Sequence, residues 1–221
     1  MISTTCLDLG HFTRPAAEWG GPYDRREPVL AYLVRHPGGT VLFDTGMGEG
    51  SPGTDAHYRP VRRPLTVGPA EVDLVVNCHL HFDHIGANQR FPGVPALVQR
   101  TELALARAGG HTLDSLLPDV RWQEIDGEHA IAPGVLVVPT PGHTAGHQSL
   151  VLDHGERVTV LAGQAYDFAH EFRAACDPAH VLRDPYRAWF ARLGALAAGR
   201  PARVLFAHDR DLWEGVLPAP R

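Results

Sequence analysis

The sequence predicts an α/β or α+β fold in a single domain spanning residues 1–221, with two β-sheets covered on the outside by helices. Three observations lead to this prediction. The length of 221 residues lies just above the usual size of one domain. Short apolar segments separated by turn signals dominate the first two-thirds of the chain, and helical patterns are few. The hydrophobic share of 44% and the charged share of 20% are typical of a globular protein.

Eight short segments rich in Val, Ile, Leu and Thr are predicted as strands. They are Pro28–His36, Thr40–Phe43, Val72–Val76, Pro95–Gln99, Val135–Val138, Gln148–Leu152, Val158–Ala162 and Val204–Ala207. A Pro-Gly-Gly turn joins the first two into a hairpin.

Two longer segments are predicted as helices. Thr101–Ala108 has Thr101 as its N-cap, and Asp184–Ala198 has Asp184 as its N-cap, with Pro185 at the first helical position.

Composition excludes several classes of function. All 20 cationic side chains are Arg, and the absence of Lys excludes a Schiff-base enzyme and a Walker A phosphate loop. A net charge of −5 with scattered Arg predicts no nucleic-acid partner. The three Cys are widely spaced, the N-terminus lacks a signal-peptide pattern and no long apolar run occurs, so we expect a cytoplasmic protein without membrane contact.

The unusual feature is 14 His in a chain with few Cys. His79, His81 and His84 accompany Asp83 in a six-residue segment directly after a predicted buried strand. Alternation along an extended segment places His79 and His81 on one side. A helix that begins near Asp83 would turn Asp83 and His84 toward the same cavity. Imidazole and carboxylate are suitable ligands for Zn²⁺ or Fe²⁺.

Two further strand ends also carry His. His143 and His147 follow the predicted strand Val135–Val138, and His208 follows Val204–Ala207. Three strand ends that present His to one edge predict a metal site at the mouth of the two sheets.

These residues resemble a known family. The segments HLHFDHIG, TPGHTAGHQS and AHD, together with FDTG at Phe43–Gly46, resemble the motifs of the metallo-β-lactamase superfamily. The resemblance implies an αββα sandwich with a dinuclear metal site. It implies this ligand set: His79, His81 and His143 on the first metal, and Asp83, His84 and His208 on the second. Asp44 would orient a ligand through a hydrogen bond, and His147 is interpreted as a structural hydrogen-bonding residue.

One position departs from the family pattern. Gln164 stands where the family usually places a metal-bridging Asp, so the second metal is expected to bind weakly or not at all, unless Asp167 compensates. Tyr166, near this position, is a candidate hydrogen-bond donor to an oxyanion, and a core or pocket aromatic is the equal alternative.

The expected function is that of a zinc hydrolase with one or two ions, iron being an alternative metal. A metal-bound hydroxide would attack the carbonyl of a small lactone or ester, and Asp83 would orient the nucleophile and carry a proton to the leaving group. Among the branches of the superfamily, the chain most resembles the N-acyl homoserine lactone lactonases. Segments 10–27 and 46–64 are expected to line the pocket mouth, with Phe12, Trp19, Tyr23 and Tyr58 as its apolar surface.

Two alternatives remain open. One is a mononuclear iron oxygenase of the persulfide dioxygenase kind, which would tolerate Gln164. The other is a non-hydrolytic relative that binds a metabolite or serves in biosynthesis.

Overall fold

The computed structural model describes residues 1–109, 112–175 and 186–213. Its strands form two sheets. The first has the order β4-β1-β2-β3-β5-β6-β7. Its strands are β1 (Ser3–Arg14), β2 (Arg25–His36), β3 (Gly39–Phe43), β4 (Val61–Arg62), β5 (Leu74–Val76), β6 (Pro95–Gln99) and β7 (Arg121–Ile125).

The second sheet has the order β12-β11-β10-β9-β8. Its strands are β8 (His129–Ala132), β9 (Val135–Pro139), β10 (Gln148–Asp153), β11 (Val158–Leu161) and β12 (Ala202–Leu205). The helices are α1 (Ala16–Trp19), α2 (Pro52–Tyr58), α3 (Phe82–Ile85), α4 (Arg100–Arg107), α5 (Ala169–Ala175), α6 (Tyr186–Ala197) and α7 (Arg210–Trp213). Short 3₁₀ turns occur at Pro69–Glu71, Asn88–Arg90 and Asp114–Leu116.

The two sheets pack face to face. Alternation along β2 sends Leu30 and Tyr32 into the core between the sheets, where they join residues such as Val137 and Leu150 of the second sheet. The alternate β2 residues, such as Ala31, join a separate apolar cluster on the other face of the first sheet. Burial of this apolar surface is the main force that holds the sandwich together.

Helices cover both outer faces. Leu103 of α4 packs with Val98 of β6 on the first sheet. Trp189 of α6 packs with Val151 and Val160 on the second. The layers therefore follow the order helix, sheet, sheet, helix, which confirms the predicted αββα sandwich. Among the described residues, no helix is long and apolar enough to cross a membrane.

All eight predicted strands are present, with ends shifted by at most three residues. The predicted N-cap of α4 is wrong: Gln99 occupies the cap position without a side-chain hydrogen bond, and Thr101 lies in the first turn. Asp184 and Pro185 lie outside the described residues.

The sequence patterns missed four of the described strands, β1, β4, β7 and β8. Strand β1 carries a bulge between Asp8 and His11. Gly10 sits in this bulge with φ of 99°, and a Cβ there would lie 1.9 Å from the carbonyl oxygen of Val61. Only glycine permits this conformation and this approach of β4.

Candidate metal centre

The candidate site lies where five strands end. Strands β3, β5, β9, β11 and β12 run in a common direction within their sheets, so their carboxyl ends meet at one edge of the sandwich. The residues that follow these ends include Asp44, His79, His143, Gln164 and His208, respectively. The topology thus brings together side chains that are far apart in the sequence.

The first group of donors consists of His79, His81 and His143. Their donor atoms all lie within 4.8 Å of one another. Nδ1 of His81 and Nε2 of His143 are 3.1 Å apart. His79 is fully buried, and its Nε2 has no hydrogen-bond partner among the residues that the structure describes. The three rings predicted to share one metal therefore converge on a common point.

The second group consists of Asp83, His84 and His208, whose donor atoms also lie within 4.8 Å of one another. Oδ2 of Asp83 is 3.3 Å from Nε2 of His84 and 3.5 Å from Nε2 of His208. Within the described parts of the chain, Asp83 Oδ2 and His208 Nε2 are buried without a hydrogen bond. Buried polar atoms are normally paired, so unpaired donors that converge fit a bound cation.

Hydrogen bonds behind the rings set the orientation of two histidines. His84 Nδ1 lies 2.9 Å from Oδ2 of Asp44, and His208 Nδ1 lies 2.6 Å from the carbonyl oxygen of Pro28. Both partners accept, so Nδ1 of each ring carries a proton, and this hydrogen bond directs Nε2 toward the second group. Asp44 also accepts the backbone N–H of Cys78 at 2.8 Å. It has the predicted hydrogen bond to a candidate ligand, and its backbone has a left-handed φ of 64°.

The electrostatics of the two groups differ. Burial and the neighbouring imidazoles lower the pKa of His79, and the same causes lower the pKa of His143 to about 3. Both rings are therefore neutral at pH 7, which is the form that binds metals. Burial disfavours the charged form of Asp83, but His84 and His208 outweigh it and hold the pKa of this carboxyl well below its usual range.

The surroundings of His84 favour its protonated, positively charged form. Burial opposes protonation, but the carboxylates of Asp83 and Asp44 outweigh it and raise the pKa of His84 well above its ordinary value. The second group is thus a region of negative potential that favours a cation.

Gln164 lies beside the second group. It is buried, and its side-chain Oε1 is 3.3 Å from Nε2 of His84. Its Nε2 donates to Oδ1 of Asp167 at 2.8 Å. Asp167 therefore contacts the amide of Gln164, and its other oxygen accepts from Arg25.

The remaining candidates occupy supporting positions. Nδ1 of His147 lies 2.8 Å from Oγ1 of Thr140, and its Nε2 accepts the backbone N–H of Gln164 at 3.2 Å. Both ring nitrogens contact protein, which fits the predicted structural role. The ring of Tyr166 lies among the aromatic rings of Phe172 and Phe206, with centroids 5.9 and 6.5 Å away.

Sequence patterns missed two residues that shape the site. Glu102 of α4 is fully buried and accepts from the backbone N–H of Leu80, the hydroxyl of Thr144 and the backbone N–H of Gly146. It ties the segment that carries His79–His84 to the segment that carries His143. The only signal in the sequence was a Glu within the apolar face of a helix.

The second missed residue is Cys78. Its Sγ lies 3.1 Å from Nδ1 of His79 and 3.3 Å from Nδ1 of His84. It therefore contacts one ring of each group from behind. Burial raises the pKa of this thiol to about 12, so it is protonated at neutral pH.

A cavity of about 340 Å³ opens next to the site. Its lining includes Phe12, Arg14, Tyr58, Phe82, His81 and Asp83. The rings of Tyr58 and Phe82 are stacked with centroids 4.9 Å apart. This volume is within the range of small-molecule sites.

The expectations for the pocket mouth are met in part. Phe12 and Tyr58 line the cavity, as predicted. The prediction for Trp19 and Tyr23 is wrong: both are exposed at the surface, at 37% and 76%, and neither lines this cavity.

The αββα sandwich and its two groups of donor atoms are typical of one class of protein. The family model of the metallo-β-lactamase superfamily matches residues 24–208, which is most of the chain. The chain belongs to this superfamily.

Two relatives in this superfamily show significant sequence identity to the chain. The chain is 34% identical to an N-acyl homoserine lactonase of a Bacillus species, over 61% of this chain and 62% of that protein, so it spans less than two-thirds of that relative. It is 32% identical to the N-acyl homoserine lactonase AttM of Rhizobium radiobacter, over 91% of this chain and 89% of that protein.

A solved structure of an N-acyl homoserine lactone hydrolase, with the product N-hexanoyl-L-homoserine bound at its catalytic metal centre, superposes with a TM-score of 0.81. The superposition covers 96% of this chain and 95% of that chain at 23% identity. At this identity the likeness shows the fold.

Proposed function

We propose that this chain is a metal-dependent hydrolase that opens lactones, with N-acyl homoserine lactones as its substrate class. One observation carries the proposal: two groups of converging donor atoms lie beside a cavity of about 340 Å³ with aromatic walls. The names of the relatives at 34% and 32% identity support the substrate class.

The donor set fits zinc. The ligands of the first ion would be His79, His81 and His143, and those of the second would be Asp83, His84 and His208, with Gln164 beside them. A bound zinc ion supplies water acidified to a pKa of about 7 and an electrophile for the carbonyl oxygen.

The protein's own groups then position the reactants. Asp83 lines the cavity, and its carboxylate stays ionised because its pKa is held low. It would orient the attacking water and carry a proton to the alkoxide that leaves when the ring opens. Asp44 keeps the His84 ring in the orientation that presents Nε2.

The cavity wall would bind the substrate. Phe12, Tyr58 and Phe82 provide an apolar surface suited to an acyl chain. Arg14, whose guanidinium is fixed by Glu27, adds hydrogen-bond donors beside it. Tyr166 remains the proposed donor to the oxyanion, through its hydroxyl.

The test compares zinc-replete protein with chelated protein on N-hexanoyl homoserine lactone, with proton release as the signal. We expect turnover that is lost on chelation and restored by zinc. Equal turnover by the metal-free protein would refute the proposal.

A panel of lactones, esters and thioesters completes the test. If the protein carries one iron per chain and consumes oxygen with a thiol substrate, the oxygenase alternative is correct. If it binds lactones without turnover on the whole panel, it is the non-hydrolytic relative.

A further inference from the structure

Gln164 has two chemically different ends, and the site can use only one of them. The amide oxygen can bind a cation, whereas the NH₂ group only donates hydrogen bonds. A rotation of 180° about the last side-chain bond would exchange them with little change in shape. The oxygen faces Nε2 of His84, and the NH₂ group faces Asp167. Something must select this orientation.

Asp167 can make that selection. Its carboxylate only accepts, so it requires the NH₂ end of the Gln164 amide, and it holds this group at 2.8 Å. The backbone N–H of Gln164 is held separately by His147. The preceding residue, Gly163, has φ of 54°, and a Cβ there would lie 2.3 Å from Cβ of Cys78. The backbone is thus fixed, and the remaining freedom is the rotation of the amide.

Asp167 is itself fixed by Arg25. The second carboxylate oxygen of Asp167 accepts from Nη2 of Arg25, and the Arg25 side chain is only 11% exposed. The guanidinium of Arg25 lies 4.7 Å from the ring centre of Trp19 and 4.7 Å from that of Phe168. Both oxygens of Asp167 are therefore engaged by protein donors, so it does not replace the carboxylate that Gln164 lacks.

We infer that Asp167, anchored by Arg25, is a positioning residue that turns the carbonyl oxygen of Gln164 toward the second group, Asp83, His84 and His208. The chain then offers the second ion a neutral oxygen where the family has a carboxylate. This inference rests on the proposed function. The second ion should bind about 10–100-fold more weakly than the first, which is the usual size of such ligand effects.

The test is a calorimetric titration of Zn²⁺ into four metal-free proteins: wild type, Asp167→Asn, Gln164→Glu and the double variant. Asp167→Asn should weaken the second binding step by about 10-fold. Its amide can donate to the Gln164 oxygen and so stabilise the wrong orientation. Glu128→Gln, which also removes one negative charge, at an exposed ion pair with Arg192, is the matched control and should leave both steps unchanged.

The Gln164→Glu background separates positioning from charge. A glutamate at this position has two equivalent oxygens, so a 180° rotation of its carboxylate still presents an oxygen to the second group. The carboxylate of Asp167 repels it. In that background Asp167→Asn should leave the second step unchanged or strengthen it. If Asp167→Asn weakens the step equally in both backgrounds, its effect is that of charge alone, and the inference is refuted. No change in the wild-type background also refutes it.

The two steps distinguish the two proposals. The tighter step reports zinc binding to the first group, His79, His81 and His143, and it tests the proposed function. Absence of this step refutes that function. A tight first step with no second step in any variant refutes the inference alone. If Asp167→Asn does not fold, Arg25→Met is the replacement variant. It removes the guanidinium that holds Asp167, and the methionine side chain still packs between Trp19 and Phe168. It should weaken the second step in the wild-type background only.

Discussion

Glu27 holds together two arginines that would otherwise repel each other. Arg14 of β1 and Arg25 of β2 are directly paired across the antiparallel ladder. Like charges in this position destabilise a sheet. Glu27, which is fully buried, accepts from Nε and Nη2 of Arg14 at 2.7 and 2.9 Å and from Nε of Arg25. We predict that Glu27→Gln, which keeps the shape and removes the charge, strongly destabilises the protein.

The size of the effect follows from burial. The Arg14 and Arg25 side chains are 19% and 11% exposed, and neither guanidinium can lose its proton to relieve the imbalance. Removing one partner of a buried ion pair costs about 3–5 kcal/mol. Asp167 still faces Arg25, so we expect the lower end, about 3 kcal/mol. With an m value of about 2 kcal/mol/M in urea, the unfolding midpoint should fall by about 1.5 M.

Glu128→Gln is the matched control. Glu128 makes a similar two-bond pair with Arg192, but the two side chains are 38% and 42% exposed. Exposed pairs contribute about 0–1 kcal/mol, so its midpoint should barely move. The assay is urea unfolding of both zinc-replete variants at pH 7. Equal losses in the two variants would show that burial of Glu27 does not set its contribution, and the reasoning would be wrong.

Three further predictions concern the site. His81→Ala should lose most of the tightly bound zinc, as measured by elemental analysis. The control His129→Ala, on β8, should keep it. A wild-type zinc content in His81→Ala would overturn the assignment of the first group. Gln164→Asp should tighten the second zinc step in calorimetry, because it adds a carboxylate beside the second group. Two equally tight steps in the wild type, unchanged by the substitution, would contradict this. Tyr166→Phe should lower kcat by about 100-fold with KM unchanged if the hydroxyl stabilises the oxyanion; a kcat equal to that of the wild type would assign Tyr166 to packing alone.

The strands and the candidate ligands were predictable because their signals are local. Each predicted strand is a short apolar segment bounded by turn residues, and His79–His84 form a contiguous motif after β5. Strand β1 was missed because its bulge interrupts the alternation of buried and exposed residues.

The supporting contacts were not predictable because they join distant parts of the chain. Glu102 reaches Leu80 and Thr144, which are 22 and 42 residues away in sequence. Arg25 and Asp167 are 142 residues apart. No periodicity or spacing connects such residues, and only the packing of the two sheets brings them together.

The charge on the second group decides how the proposed enzyme would depend on zinc. Asp83 contributes a carboxylate, Gln164 a neutral amide, and the charge of Asp167 is balanced by Arg25. With a separation of about 10–100-fold between the two affinities, an interval of zinc concentration exists in which only the three-His group is filled. Turnover measured across this interval shows whether one ion suffices. Full activity before the second binding step would mean that the reaction of this chain does not require the second ion. Activity that rises only with the second step would mean that the reaction requires this ion and that the Gln164 oxygen serves as one of its ligands.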